Sequence, residues 1–412
     1  MKSEARPSPR RLQRPASRAS AVFLALALGA PGLAGGQSPA AEGTVRIAQF
    51  NVWELGTAKI DHVDDAGGGH HPQLLAAAAV IRRIRPDVLL LNEIDYDADR
   101  DVARAFIDGY LKTDGESPPI DYPHVFTAPV NTGVPSGYDL DNNGALGDPD
   151  DAWGFGRYPG QYGMALLSRW PLDDDAVRSF RALRWITMPG HRIPDGRDGR
   201  PAWYSAEEAA LLRLSSKSFW DVPLEIPRHS APPLRLHILA SHPTPPVFDG
   251  DEDRNGRRNF DEIRLVADYL SGGESASWMV DDLGRRGGFA AGASAVVMGD
   301  LNADPVRGEA LGEERAIDQL LDHPRLQDPE PRSAGDLGVD PRRGAYPGDS
   351  RTRTSGFGRI DYVLPTKDLR VRDAGVFVPV DGDPLFDAVR GGRDRRASDH
   401  FLVWVDLDLG SP

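Results

Sequence analysis

The sequence contains no cysteine. Disulfide staples, zinc–thiolate centres, redox dithiols and cysteine nucleophiles are therefore excluded. No stretch supplies the roughly 20 consecutive apolar residues that a membrane-spanning helix needs. A Gly-rich phosphate loop and an internal repeat are also absent. Positive charge is short: 48 Lys and Arg stand against 62 Asp and Glu, a formal net charge of −14. No Lys/Arg stripe interrupts the acidic background. Affinity for long nucleic acid comes mainly from Lys and Arg on phosphates, so such a partner is disfavoured. The acidic balance suits a protein that uses divalent cations.

What basic charge there is begins at the N-terminus. Arg6, Arg10, Arg11, Arg14 and Arg18 precede an apolar run from Ala21 to Ala30, and small residues follow from Gly32 to Ala41. This order reads as a signal peptide over residues 1–40 and predicts a secreted or periplasmic protein. Arg10-Arg11 leaves a twin-arginine route open. Removing 1–40 leaves 42 positive and 61 negative side chains, or −19. Residues 41–412 show no second boundary and read as one α/β domain.

Apolar runs within that domain end in polar residues. Thr44–Trp53 alternates as a strand and carries Asn51 near its end. Leu74–Arg85 has helical periodicity and stops at Pro86. Asp87–Asp95 is apolar until Asn92 and Glu93, as a strand covered on both faces should be. Val102–Lys112 reads as a helix. Tyr162–Ser168 and Leu234–His242 read as strands, the second ending in His242. Asn259–Leu270 reads as a helix. Ser294–Met298 is a strand running into Gly299-Asp300-Leu301-Asn302, where strand alternation would point Asp300 and Asn302 the same way. Ile317–Leu321 is short and helical. Arg359–Pro365 is a strand bearing Asp361, and Val371–Val380 is another. Ser398-Asp399-His400 heads the last strand. Residues 113–160, 189–233 and 328–356 are loop-rich insertions, the second holding one short helix over Ala206–Leu214.

Two stretches match calcium-loop spacing. Asp139, Asp141, Asn143 and Asp150, with Gly144 at the turn, form the first. Asp251, Asp253, Asn255, Gly256 and Glu262 form the second, with Arg257 and Arg258 inside it. Acid-rich turns explain both equally simply, and neither has an EF-hand's flanking helices.

Each strand-end residue alone has a bland explanation, as a capped turn or a satisfied buried amide. Their common placement does not, because sites are built at the ends of packed strands. The inventory holds imidazoles for proton transfer, carboxylates for a hard cation and amides to orient an oxyanion. Oxygen ligands favour Mg²⁺ or Mn²⁺, with Ca²⁺ at the acidic loops as a further expectation.

In this order, Gln49-Phe50-Asn51-Val52-Trp53, Leu91-Asn92-Glu93, Ser241-His242-Pro243, Gly299-Asp300-Leu301-Asn302, Arg359-Ile360-Asp361-Tyr362-Val363 and Ser398-Asp399-His400 resemble the endonuclease/exonuclease/phosphatase superfamily over residues 44–407. The resemblance implies a four-layer sandwich, in which two mixed β-sheets pack face to face and helices flank them, with long loop insertions. It implies Glu93 as principal metal ligand, Asn51 in support of the metal or a phosphate oxygen, and Asp399 in a second metal region. It implies His400, paired with Asp361, as general base or phosphate-stabilising imidazole. Asp300 would align or deprotonate the attacking water, Asn302 would sit on the phosphate, and His242 would bind a phosphate oxygen or protonate the leaving group.

The resulting expectation is a secreted, metal-dependent phosphoesterase acting as a monomer on a small-molecule or extracellular phosphoester. An extracellular nuclease or a sphingomyelinase-like phospholipase is the alternative within the family. A calcium-dependent surface-binding protein is the alternative outside it.

Overall fold

The first strand shows the rule that the others follow. In the computed structural model β1 runs over Thr44–Leu55. Val45 and Ile47 enter one apolar layer, while Ala48, Phe50 and Val52 enter another. A strand covered on both faces belongs in the middle of a layered fold. The structure describes residues 43–409 except 66, 114, 116, 229–230, 339–343 and 392–395. The 1–40 leader lies outside the described residues.

In chain order the further strands are β2 (Val88–Ile94), β3 (His124–Phe126), β4 (Met164–Ser168), β5 (Arg178–Ser179), β6 (Phe219–Ile226), β7 (Leu234–Ser241), β8 (Ser294–Asp300), β9 (Ala310–Leu311), β10 (Glu314–Arg315), β11 (Arg332–Ser333), β12 (Asp361–Pro365), β13 (Val371–Val376) and β14 (Val403–Asp408). One sheet has the order β11-β13-β14-β1-β2-β4-β3 and the other β12-β8-β7-β6-β5, while β9 and β10 form a separate hairpin. Both sheets are mixed. β1 pairs parallel with β2 and antiparallel with β14, and β7 pairs parallel with β8 and antiparallel with β6.

The helices are α1 (Thr57–Ile60), α2 (Pro72–Ile84), α3 (Val102–Phe106), α4 (Ala206–Leu211), α5 (Arg254–Ser271), α6 (Asp318–Leu321) and α7 (Phe386–Arg390). Val45, Ile47, Val88 and Leu90 of the first sheet meet Trp220, Val222, Ile238, Val296 and Met298 of the second in a shared apolar layer. The outer face of the first sheet packs on α2, α3 and α7. The outer face of the second packs on α4, α5 and α6. This is the four-layer sandwich.

Local chemistry sets the helix limits. Pro72 occupies the first turn of α2, where a missing N–H costs nothing, and Arg85 closes it in the left-handed conformation. The helix expected over Val102–Lys112 changes after Phe106 into one π turn, Ile107–Leu111. α5 begins at Arg254, five residues before the sequence pattern indicated, and buries Phe260, Ile263, Val266 and Leu270 at helical spacing. That start overturns the second calcium-loop reading. Asn255, Gly256 and Glu262 are helical, and the Glu262 carboxylate is buried against the backbone N–H groups of Ser216 and Thr244.

A larger correction concerns residues 189–233. The stretch read as an insertion contains β6, a full core strand. Trp220, Val222, Leu224 and Ile226 alternate inward, a period-two signal that Pro223 obscured. The Pro223 carbonyl accepts from Asp173 N at 2.9 Å. In an antiparallel strand the nitrogen of the same residue faces that side too, beyond the end of two-residue β5. The proline therefore removes no bond to β7.

Candidate active site

Period-two alternation carries the inter-sheet layer from apolar to polar at one edge. On β1 the inward series Val45, Ile47 continues as Gln49 and Asn51. On β2, Val88 and Leu90 lead to Asn92. On β7, Leu236, Ile238 and Ala240 lead to His242. On β8, Val296 and Met298 lead to Asp300. β12 runs antiparallel to β8 and β14 antiparallel to β1. Asp361 and His400 thus reach the same edge from strand beginnings rather than strand ends.

Asp300 is the hub. Its Oδ2 accepts from Asn51 Nδ2 at 3.0 Å and lies 3.5 Å from His242 Nε2 and 3.8 Å from His400 Nε2. Its backbone N–H donates to Asn92 Oδ1 at 3.3 Å. Asp361 stands opposite Asp300 in the β8–β12 ladder, and its Oδ2 lies 2.8 Å from His400 Nδ1. Gln49 Nε2 donates to both Asn92 Oδ1, at 2.9 Å, and Asp361 Oδ1, at 3.0 Å. Thr354 Oγ1 accepts from the backbone N–H groups of Ile360 and Asp361, each at 3.0 Å. Gln49, Asn92 and Thr354 were not singled out from sequence. The first two extend the inward series of Asn51 and Leu90, a signal that was there to read.

Glu93 breaks the alternation. A regular pleat would send it to the outer face with Leu89 and Leu91. Its φ of +61° turns it back, so that Asn51 Nδ2 donates to Oε1 at 3.0 Å and Glu54 N to Oε2 at 3.1 Å. Trp53 and Glu54 also have positive φ, 50° and 55°. Non-glycine residues seldom adopt this conformation, and its concentration at one spot marks a segment shaped for a site. Lys59 Nζ anchors it by donating to Trp53 O at 2.8 Å.

Asn302 lies past the end of β8, with φ of +52°. It reaches the edge through a turn, not through strand alternation. Its backbone N–H donates to Asp300 Oδ1 at 3.1 Å and its Nδ2 to Pro243 O at 3.1 Å. The Asx turn and the site placement therefore coexist.

Electrostatics separates the two imidazoles. Burial penalises a charged His400, but Asp361 and Asp300 outweigh it and hold the ring well above its ordinary pKa. Burial, helped by Lys217 and His400, takes His242 well below. Asp300 is pushed up to about 7, chiefly by burial, with His400 opposing and Asp361 adding. Burial also raises Glu93.

Asp399 is only partly buried and touches the site through charge, acting on Glu93 and His400. It contributes no atom to the carboxylate–imidazole groups described below. The first calcium-loop pattern supplies residues to two carboxylate groups, within each of which the ligand atoms lie within 4.8 Å of one another. Asp139 and Asp141 group with Asp151, whereas Asp141 and Asp150 group with Asp148. Asn143 spends its amide on Asp141 and Asp148. Phe155 of the 113–160 insertion stacks on Tyr162 at 6.4 Å, and Tyr162 OH donates to Glu54 Oε1 at 3.0 Å.

The model of the Endonuclease/Exonuclease/phosphatase family matches residues 48–400. The chain belongs to this family. Its members are hydrolytic phosphoesterases, and this chain is one of them. Solved structures with a similar fold include an endonuclease/exonuclease/phosphatase from Beutenbergia cavernae, 20% identical, covering 89% of this chain and 72% of that one with a TM-score of 0.48. Sphingomyelinase C from Streptomyces griseocarneus is 14% identical, with 88% and 99% covered and a TM-score of 0.41. A mannosyl-6-phosphatase from Bacteroides thetaiotaomicron is 12% identical, with 88% and 99% covered and a TM-score of 0.41. Among curated proteins none matches.

Enzymes of the endonuclease/exonuclease/phosphatase family depend on divalent metal, and the residues here fit one. Ligand atoms of Glu93, His242 and Asp300 lie within 4.8 Å of one another, as do those of Asp300, Asp361 and His400. Glu93 would hold the ion through a carboxylate oxygen, with Asp300 beside it. The buried His242 Nδ1 has no hydrogen-bond partner. Asn51 turns its amide nitrogen to both carboxylates and gives its oxygen to Trp53 N.

Proposed function

We propose that the chain is an exported hydrolase of small phosphate mono- or diesters that works with Mg²⁺ or Mn²⁺. The observation that carries this reading is the convergence of His242 and the His400–Asp361 pair on one oxygen of Asp300, Oδ2. The leader composition supports export, and the −19 body argues against long nucleic acid as substrate.

Each residue has a part in in-line attack on phosphorus. Asp300, near neutrality in its proton affinity, accepts a proton from the attacking water. His400 is held charged by Asp361, which suits it to stabilise a non-bridging phosphate oxygen rather than to act as base. His242 is kept neutral and close to the reacting group. The Asn302 carboxamide, fixed on Pro243 O, lies beside the phosphate. A bound divalent cation supplies charge neutralisation at the phosphate and a more acidic water.

The test is hydrolysis of bis(p-nitrophenyl) phosphate and p-nitrophenyl phosphate by the purified protein, with Mg²⁺, with Mn²⁺ and with chelator. Metal-dependent turnover is expected on at least one ester. Absence of turnover on both with every metal would remove the reading. N-terminal sequencing of protein from a native host would check export by locating a cut near residue 40.

A further inference from the structure

Behind the reacting edge lies a second buried polar cluster that none of these roles uses. Lys217, only 6% exposed, sits two residues before β6. Its ammonium donates to the Pro243 carbonyl at 3.5 Å, and Asn302 Nδ2 donates to the same oxygen at 3.1 Å. Pro243 directly follows His242.

α5 braces the residues on either side. Glu262 accepts from Ser216 N at 2.6 Å and Ser216 Oγ at 3.1 Å through one oxygen, and from Thr244 N at 2.6 Å through the other. Asn259 Nδ2 donates to Thr244 O at 2.9 Å and Leu301 O at 3.0 Å. The neighbours of Lys217, Pro243 and Asn302 are thus all tied to one turn of one helix. A buried ammonium is tolerated only when compensated. Burial lowers the Lys217 pKa, and the negative charges of Glu262, Asp300 and Glu93 work to keep it protonated.

We propose that Lys217 is a positioning residue for hydrolysis: with Glu262 and Asn259 it fixes the Pro243 carbonyl, which orients the Asn302 carboxamide and sets the His242 ring against Asp300. The catalytic half of this inference rests on the phosphoesterase reading above. The structural half does not.

The test replaces the ammonium without losing the stem, as K217M. Because the chain has no cysteine, K217C offers a single thiol. Alkylated under denaturant and refolded, it becomes an aminoethyl analogue of lysine or, with iodoacetamide, a neutral control. Turnover of bis(p-nitrophenyl) phosphate with Mn²⁺ and ¹⁵N-histidine spectra of the metal-free protein are read for each. K217M should lower kcat by about 10²-fold with little change in KM, and should move the His242 ring resonances while leaving those of His237. Aminoethylation should restore both, and the neutral control should not. N302A should cost far less in K217M than in the parent, because both act through one carbonyl.

Full multiplication of the two losses, or K217M with parental kcat and His242 resonances, would overturn the proposal. If K217M does not fold, the two alkylated proteins decide on the same readings. If the parent hydrolyses no phosphoester, the functional reading falls, and the His242 resonances still decide whether Lys217 positions that ring.

Discussion

Asp361 Oδ2 lies 2.8 Å from His400 Nδ1, and the same aspartate stands opposite Asp300 across the β8–β12 ladder. The pair fixes the imidazole with Nε2 turned toward Asp300, 3.8 Å away. It also holds the ring charged against its burial. An amide in place of Asp361 keeps the shape and loses the charge. D361N should therefore lower kcat by ~10²–10⁴-fold, while circular dichroism stays native. NMR titration should show the His400 pKa falling in D361N. A variant with parental turnover would separate Asp361 from the chemistry.

The raised pKa of Asp300 makes a statement about stability. A buried acid with a raised pKa binds its proton more tightly when folded than when unfolded. Its ionisation therefore erodes stability as pH rises from the unfolded value, about 4, toward the folded value, about 7. D300N cannot ionise. In the metal-free protein, the parent's unfolding free energy relative to D300N should fall by an amount on the order of 4 kcal/mol across that window. Urea melts at several pH values measure it. A difference that does not change with pH would mean that Asp300 ionises normally.

Carboxylates gathered without a cation repel one another, and a divalent ion relieves them. Thermal unfolding of chelator-treated protein should shift upward on adding Mn²⁺ or Mg²⁺, by about 2.7 kcal/mol at a hundredfold excess over Kd. E93Q should lose most of that shift along with turnover. Calorimetry on both proteins checks the point, and an undiminished shift in E93Q would place the ion elsewhere.

Much of the site was readable because period-two alternation is strict. Once β1 and β8 were recognised as strands, Asn51 and Asp300 had to lie on the face of Ile47 and Met298. Glu93 and Asn302 reach the same edge only through positive φ, which no alternation rule foresees in a glutamate or an asparagine. β6 was hidden for a different reason. Pro223 marks a break in most strands, and its harmlessness depends on how far β5 extends, a tertiary fact. Glu262 shows the reverse error. Its spacing from Asp251 imitated a calcium loop, but burial of Phe260, Ile263, Val266 and Leu270 at helical spacing wound that segment into α5 despite weak helix formers such as Asn255 and Gly256. The support of the site by Lys217, Asn259 and Glu262 depends on chain segments far apart in sequence, so no local pattern could reveal it.

Gly299 offers the sharpest test of how tightly the fold holds the chemistry. It pairs beside Ser241, one step past the Ala240–Met298 register of parallel β7 and β8. Its φ is 153°, and a Cβ there would overlap the Ser241 carbonyl oxygen. That obstacle is backbone and cannot swing aside like a flexible side chain. An alanine must therefore push β8 away from β7, and the next residue to move is Asp300, with His242 on the other strand. G299A should cost about 1–3 kcal/mol of stability, as overpacking usually does. It should also lower kcat disproportionately, by about 10²-fold, because displacement by about an ångström is enough. Urea denaturation and steady-state kinetics on the same preparation separate the two effects. Lost stability with unchanged kcat would show that the His242–Asp300 geometry tolerates strand separation, and that the close approach at Gly299 serves packing alone.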